Sequence, residues 1–364
     1  MKSKVHECVL VAGTTGLGGA ERYAVDLYSE MRTAGIPVGL IGHIPGWAEA
    51  GLPIFGRAGL TNKWGAESPL LSLLKWPLQC IAVARIARKH RGATFHVQFK
   101  REQLGLSKVL RRYGNVVWTE HGRFRRSWRS RILGKLYRRT SRYADSIIAV
   151  SSAVASDVKS VGVSGRVEVI PNTVDVSRYA APASGEVKAA KKRFNIAESE
   201  VSALWIGRVE TGKRPDLAIE AAVEADIDLL FVGAGDQLET LAKGIYAPKR
   251  VIFAGHLADP TVAYRACEIL IFTSAGTGEG LPLALLEGAA CGLILVTHPS
   301  SGMAEPVVQL DGVLASGDSP QAIAEAVRKA AKLASQEPRI ARALTSRSDW
   351  VSRHRMALKV AEDD

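Results

Sequence analysis

The chain has 364 residues, 47% hydrophobic and 23% charged. That is the balance of a globular protein of two ordinary domains and excludes a disordered or fibrous chain. Its net charge of +12 is lopsided: residues 1–178 hold 28 Lys/Arg against 12 Asp/Glu, the rest 20 against 24, and residues 85–142 alone carry 18 basic side chains with only Glu102 and Glu120 opposing them. Such a field suits an anionic lipid surface, a polyphosphate or a nucleic acid. Four scattered cysteines (Cys8, Cys80, Cys267, Cys291) form no CxxC pair, which counts against a disulfide framework or a zinc site and suits a reducing compartment. The apolar run at Cys8–Ala12 is too short for a signal peptide. No uninterrupted apolar stretch reaches the roughly 18 residues of a membrane span. The nearest, Leu70–Ala87, is broken by Lys75, Pro77 and Arg85.

Short β-like runs alternate with helical patterns, which predicts parallel α/β architecture. The expected strands of the first half are Val5–Val11, Pro37–Gly42, Thr94–Gln98, Val116–Thr119, Ser146–Val150 and Val167–Ile170. Between the first two lies a helix over Ala20–Ala34, with Ala24, Leu27, Tyr28 and Met31 on one face and Gly35 as its stop. From Tyr179 to Asn195 the rhythm breaks in a stretch of Ala, Lys, Pro182 and Gly185, read as a passage between domains. The second half predicts strands at Ala203–Ile206, Leu229–Val232, Val251–Ala254, Ile269–Thr273, Leu293–Thr297 and Val313–Ala315. The expected layout is a first Rossmann-like domain over 1–178, a linker over 179–200 and a second such domain over 201–340. A helical segment over 341–364 is expected to pack back toward the first. Ligands of such sheets sit at the carboxyl ends of the strands.

The sharpest local pattern is Glu279-Gly-Leu-Pro-Leu-Ala-Leu-Leu-Glu287, two carboxylates eight positions apart. Pro282 suits the first turn of a helix, whose free N–H groups and dipole favour a phosphate. Glycines 276, 278 and 280 let backbone approach a ligand. Upstream, Trp205-Ile-Gly-Arg208-Val-Glu-Thr-Gly-Lys213 ends a strand with two cations five residues apart. Fixed cations stabilise the charge on a departing diphosphate. The turn Gly233-Ala-Gly235 closes the next strand.

In this order the motifs resemble family 4 of the retaining glycosyltransferases, the "group 1" transferases of GT-B fold. The first half adds Gly18-Gly19-Ala20-Glu21, Thr119-Glu120-His121-Gly122, Ala144-Asp145 with Ala149-Val150-Ser151, and Val169-Ile-Pro-Asn-Thr-Val-Asp175. The second adds Gly207-Arg208 with Lys213, Phe253-Ala-Gly255 and the paired glutamates. The resemblance spans roughly Val5–Val307. It implies two facing Rossmann-like domains with a cleft between them, and transfer of a sugar from a nucleotide diphosphate sugar. Arg208 and Lys213 are then expected on the donor diphosphate and Glu287 on the ribose. Glu279 is expected on the transferred sugar, with the N–H groups of Gly280, Leu281 and Leu283 near phosphates and sugar. Gly233 lines the same nucleotide site. His121 faces the donor sugar from the first domain, and Gly18 and Gly19 approach from that side. His121, Glu279, Arg208 and Lys213 are the expected catalytic group.

The resemblance also implies retention of anomeric configuration by same-face attack, in which the leaving phosphate oxygen helps take the acceptor proton. No cofactor and no metal are expected. Asp226-Ile-Asp228 matches a metal-binding DxD pattern but falls just before a predicted strand and reads as structural. Three positions depart from the family pattern: Thr173 and Arg214 stand where glycines are usual, and Pro299-Ser-Ser-Gly302-Met-Ala-Glu305 replaces a Gly-Gly loop. His43, His96, His256 and His298, at or near strand ends, read as structural. Residues 123–142 hold nine Lys/Arg and no acid, interleaved with Phe124, Trp128, Ile132, Leu133, Leu136 and Tyr137. That composition suits an anionic membrane surface. The expectation is a cytoplasmic enzyme, peripheral on the inner face of the membrane, acting on a lipid-linked or lipopolysaccharide-type saccharide in bacterial envelope synthesis. The alternatives are a soluble small-molecule or protein acceptor, or a sugar-nucleotide epimerase or hydrolase on the same fold. A nicotinamide oxidoreductase is disfavoured because Gly42-His43, not an acid, follows the second strand. Nucleic acid is not expected, since no RNP, zinc-finger or helix-turn-helix pattern accompanies the charge.

Overall fold

Cys8-Val-Leu-Val-Ala-Gly13 is apolar throughout, the pattern of a parallel strand covered on both faces, and all six residues are buried. The computed structural model describes residues 6–16, 18–60, 69–124, 128–163, 165–243, 251–276, 278–336 and 344–360. The chain divides into two compact units: 1–172 with 346–364, and 173–345.

In the first unit the elements run β1 (Cys8–Gly13), α1 (Gly19–Thr33), β2 (Val38–His43), β3 (Ile54–Gly56), α2 (Pro69–Lys89), β4 (Thr94–Val97) and α3 (Lys100–Leu110). They continue with β5 (Asn115–Glu120), α4 (Trp128–Ser141), β6 (Ser146–Ala149), α5 (Ser152–Ser160) and β7 (Arg166–Val169). The sheet order is β3-β2-β1-β4-β5-β6-β7, every pair parallel. Cys8 stands in register with Val38 on one side and Thr94 on the other, so the strand order reverses between β1 and β4. β3 has no counterpart among the predicted strands. It is three residues long and lies at the sheet edge, too short to display a period, and Phe55 holds it by stacking on His90 at 3.9 Å. Gly39 makes room for that ring: a Cβ there would lie 2.1 Å from it.

The second unit contains α6 (Ser184–Arg193), β8 (Ser202–Ile206), α7 (Pro215–Ala225), β9 (Asp228–Val232), α8 (Leu238–Lys243), β10 (Val251–Gly255) and α9 (Thr261–Ala266). After them come β11 (Ile269–Phe272), α10 (Leu283–Ala290), β12 (Ile294–Thr297), α11 (Ala304–Gln309), β13 (Val313–Leu314) and α12 (Pro320–Gln336). The order β10-β9-β8-β11-β12-β13 is again all parallel and again reverses, between β8 and β11. Alternate residues of one strand feed two cores: Leu204, Leu230, Leu270 and Leu295 on one face, Trp205, Phe231, Ile271 and Val296 on the other.

Residues 179–200, read as a linker, pack instead into the second unit. Tyr179, Ala190, Phe194 and Ile196 are buried in its core, and Tyr179 meets Tyr264 edge-on at 5.7 Å. The Ala- and Lys-rich composition hid an apolar face that α9 covers. The last helix, α13 (Arg347–Ala357), belongs to the first unit, where Trp350, Val351, Ala357 and Leu358 join Tyr23, Ala24 and Leu27 of α1 in one core. All four cysteines are free thiols.

Candidate functional site

A parallel sheet whose strand order reverses leaves a crevice at the carboxyl ends of the two strands flanking the reversal. In the second unit those ends are the turn after β8, residues 207–213, and the loop after β11, residues 273–282. Lys213 closes a 3-10 turn at Thr211–Lys213, and its Nζ pairs with Glu279 Oε1 from the other loop. Ser274 Oγ lies 3.5 Å from the same oxygen. Arg208 is 69% exposed and Lys213 20%, so the first cation is open to solvent beside Glu210 (3.1 Å) while the second is set into the loops.

The backbone beneath is tied down by one hydroxyl. Thr273 Oγ1 accepts from Trp205 Nε1 (3.1 Å) and faces the carbonyls of Lys213 (3.0 Å) and Arg214 (2.8 Å). The Thr273 carbonyl in turn accepts from His298 Nε2 at 3.2 Å, and His298 Nδ1 meets Asp318 at 2.8 Å. Hydrogen bonds from Ser300 and His298 hold the Asp318 carboxyl down to about 2. Close packing explains two of the glycines. A Cβ on Gly233, at φ +151°, would lie 1.9 Å from the Gly207 carbonyl oxygen, and one on Gly276 would lie 2.2 Å from that of Ser300.

Pro282 proves to be the N-cap of α10, with Leu283 as its first helical residue, one position later than the sequence suggests; its ψ of 133° keeps it out of the helix. Gly280 and Leu281 lie in the loop before it, and Glu287 is 2% exposed in its middle, accepting Tyr264 O–H at 2.6 Å. Arg214 adopts left-handed backbone, φ 47° and ψ 57°, in the place where the family pattern has glycine. Asp226 caps α7 and Asp228 begins β9, at the opposite end of the sheet from these loops.

In the first unit the reversal lies between β1 and β4. Gly18 is the N-cap of α1 in ordinary extended backbone, and Gly19 opens the helix. His121 follows β5; its Nε2 is 3.2 Å from Gln98 Oε1, and the Tyr23 ring meets it edge-on at 4.7 Å. Beside it Glu120 is buried with Lys100 and with Tyr137, whose hydroxyl donates at 2.9 Å. The Lys100 ammonium lies over the rings of Phe124 (4.2 Å) and Tyr137 (4.3 Å), and burial lowers its pKa. Close by, burial pushes the Glu102 carboxyl up to about 7 although Arg101 donates to it at 2.7 Å.

The same assignment comes from comparison with known proteins. Residues 17–178 match the family described as Glycosyltransferase Family 4, and residues 186–345 match Glycosyl transferases group 1. The chain belongs to the GT-B glycosyltransferases. A D-inositol 3-phosphate glycosyltransferase of Geodermatophilus obscurus is 32% identical over 183 residues, 45% of this chain and 40% of that protein. A GDP-mannose-dependent alpha-(1-6)-phosphatidylinositol monomannoside mannosyltransferase of Mycolicibacterium smegmatis is 30% identical over 207 residues, 52% and 54% of the two chains. The matched region thus spans about half the length of such relatives. Anabaena HepE in complex with UDP superposes with a TM-score of 0.76 at 18% identity, over 98% of this chain and 100% of that one. WaaG, a glycosyltransferase involved in lipopolysaccharide biosynthesis, gives 0.64 at 17% identity, over 98% and 96%. These likenesses establish the fold.

Within the glycosyltransferase, Lys213 and Glu279 come together directly, and Arg208 shares their turn. Gly233 packs beneath that turn, and Glu287 lies deeper in α10. His121, Gly18 and Gly19 belong to the first unit. Sequence reasoning passed over Thr273, Ser274, Tyr264, Gln98 and Tyr23. Thr273 and Ser274 could have been found as the hydroxyls ending the strand at the reversal. The others had no motif.

Proposed function

We propose that this glycosyltransferase moves a hexosyl unit from a nucleotide diphosphate sugar to a lipid-linked or lipopolysaccharide-type saccharide, with retention of configuration and without a metal ion. One observation carries the donor half: the Lys213–Glu279 pair, with Arg208 beside it, at the strand reversal of the second unit. A diphosphate competes with Glu279 for Lys213, and the released carboxylate becomes an acceptor for hydroxyls of the sugar. Two cations then offset the charge that grows on the leaving group, the task a metal performs in other transferases. Same-face attack assisted by the leaving phosphate oxygen is the route that the family resemblance implies for these groups. Structural neighbours are described in complex with UDP and UDP-glucose, which supports a nucleotide-sugar donor.

The acceptor half rests on the first unit. Tyr137, counted above among the membrane-facing residues, packs against Trp118 at 4.9 Å and is buried, because its hydroxyl serves Glu120. Ile132 and Leu136 of α4 remain exposed. Arg125 and Arg126, and the side chains of Trp128, Arg129 and Arg131, lie outside the described residues. The stronger apolar face is on α2, where Leu74 is 67% exposed, Leu78 71%, and Ile81 also open. They recur at helical spacing beside the exposed Lys75, Arg85, Arg88 and Lys89, with no acid in the helix. No helix among the described residues is long and apolar enough to cross a membrane. An apolar stripe edged with cations lies flat on an anionic surface, each cation contributing about 1 kcal/mol. Relatives named for phosphatidylinositol mannoside and neighbours named for lipopolysaccharide biosynthesis support a membrane-bound acceptor.

The experiment pairs two measurements. A screen of UDP-, GDP- and ADP-sugars in excess EDTA, with the product anomer read by NMR, should give one accepted donor and a retained configuration. Inversion, or loss of transfer with EDTA, refutes the mechanism. Flotation with anionic against neutral vesicles should show salt-sensitive binding that Leu74→Ser/Leu78→Ser weakens. Indifference to anionic vesicles points to a soluble acceptor and leaves the donor reading intact.

A further inference from the structure

Beneath His121 lie buried hydrogen bonds, one of which has its direction set from the C-terminal helix. His354 Nδ1 lies 2.7 Å from the Trp350 carbonyl, which can only accept, so Nδ1 carries the proton and Nε2 of the neutral ring is an acceptor. Tyr23 O–H therefore donates to His354 Nε2, at 2.6 Å. Beyond it, Thr119 Oγ1 meets His96 Nε2 at 2.7 Å, and His96 Nδ1 meets the Tyr28 hydroxyl at 3.2 Å. Cys8 Sγ lies 3.2 Å from the same hydroxyl. The Trp350 carbonyl on α13 thus fixes the direction of the Tyr23–His354 bond. Burial lowers the pKa of both imidazoles, to about 4 for His354, in keeping with neutral rings.

Tyr23 is the member that faces outward from this group. Its ring stands between His354 (centroids 5.5 Å apart) and His121 (4.7 Å), edge-on to both. His121 is thus held on one side by the Gln98 amide and on the other by a phenol whose own position His354 fixes. We propose that His354 and Tyr23 are positioning residues for sugar transfer, so that the C-terminal helix orients His121. This rests on the reading of His121 as the residue that meets the donor sugar. His354 lies 233 positions from His121 and reaches it through Tyr23. No sequence pattern links the three.

The test is a double-mutant cycle on the full-length enzyme with its accepted donor. His354→Phe keeps the ring volume and removes both hydrogen bonds. Tyr23→Phe keeps the ring against His121 and removes only the hydroxyl. Both should lower kcat, roughly 10- to 100-fold for the first and less for the second, while donor KM stays within about twofold. In a His121→Ala background neither should lower kcat further by more than about twofold. Wild-type kcat in both variants overturns the proposal, as does an equal loss with and without His121. Should His354→Phe fail to fold, Tyr23→Phe decides by the same criteria. Full turnover in His121→Ala alone removes the underlying reading of His121, an outcome distinct from an inactive His121→Ala beside active His354→Phe and Tyr23→Phe.

Discussion

The two units share one sheet plan but set different groups at its reversal. Both wind outward from a central strand, return, and reverse at its neighbour. At the reversal of the second unit the strand ends present exposed or half-exposed charge: Arg208, Lys213 and Glu279, on turns that glycines let pack closely. At the corresponding edge of the first unit most polar groups are buried and bonded to one another: His96 with Thr119, Tyr23 with His354, and Glu120 with Tyr137, with only the Lys100 partner of Glu120 partly open at 31%. Exposed charge can trade partners when a polyanion arrives. Buried, satisfied networks cannot, and they serve to hold a neighbouring group still. On the proposed function, the second unit would bind a changing charge and the first would orient.

The largest effects should separate the units by kinetic parameter. Lys213→Ala should cut kcat/KM by about 10²–10³-fold, as losing one fixed charge from a developing anion does elsewhere. Glu287→Gln keeps a partner for the Tyr264 hydroxyl but removes the charge, and should weaken nucleotide binding by about 1–3 kcal/mol in calorimetry. His121→Ala should lower turnover and leave nucleotide affinity unchanged. Equal loss of nucleotide affinity from His121→Ala would erase the distinction between the units.

A smaller effect, in stability, distinguishes the buried groups of the first unit. His354 has its pKa depressed by burial to about 4 from 6.5, so the unfolded chain binds the extra proton first. Its contribution is fully present above pH 6.5 and is lost as pH falls toward 4, about 3 kcal/mol in all. His96, lowered in the same direction, adds to that slope. Glu102 is raised to about 7 from 4.5, so its contribution is present below pH 4.5 and lost as pH rises toward 7, with the opposite slope. Urea titrations between pH 4 and 7 should therefore show acid destabilisation that His354→Phe shallows and Glu102→Gln steepens. Parallel shifts at every pH would mean that neither group titrates on unfolding.

Legibility in the sequence follows the same division. Val5, the expected start of the first strand, lies outside the described residues; among these every predicted strand found its place within a residue or two, because buried parallel strands read as unbroken apolar runs. β3, three residues at an edge, could not. The loops at the second reversal were legible because their pattern is local: Arg208 and Lys213 share one turn, and Glu279 and Glu287 bracket one helix start. The network under His121 was not. Residues 8, 23, 28, 96, 119 and 354 have no common spacing, and only the sheet register and the return of α13 bring them together. The linker was misread for a related reason: Tyr179 and Phe194 join a core whose other members, such as Tyr264, Leu270 and Leu295, lie far along the chain.

The finest prediction concerns a residue whose oddness was visible from the start. Arg214 occupies the left-handed region that glycine enters freely, between the 3-10 turn and α7. Its carbonyl is held there by the Thr273 hydroxyl at 2.8 Å, so the turn imposes the conformation on the residue. A β-carbon in that region costs about 1–2 kcal/mol, and glycine returns about 0.5–1 kcal/mol of the difference through its freer unfolded chain. Arg214→Gly should therefore raise the stability of the second unit by about 0.5–1 kcal/mol, measured by thermal unfolding. On the proposed function, the Arg214 charge would serve the donor diphosphate. The same variant should then bind nucleotide diphosphate more weakly even as it melts later. Later melting with unchanged affinity would leave the strain without a function, and the second unit with two donor-site cations rather than three.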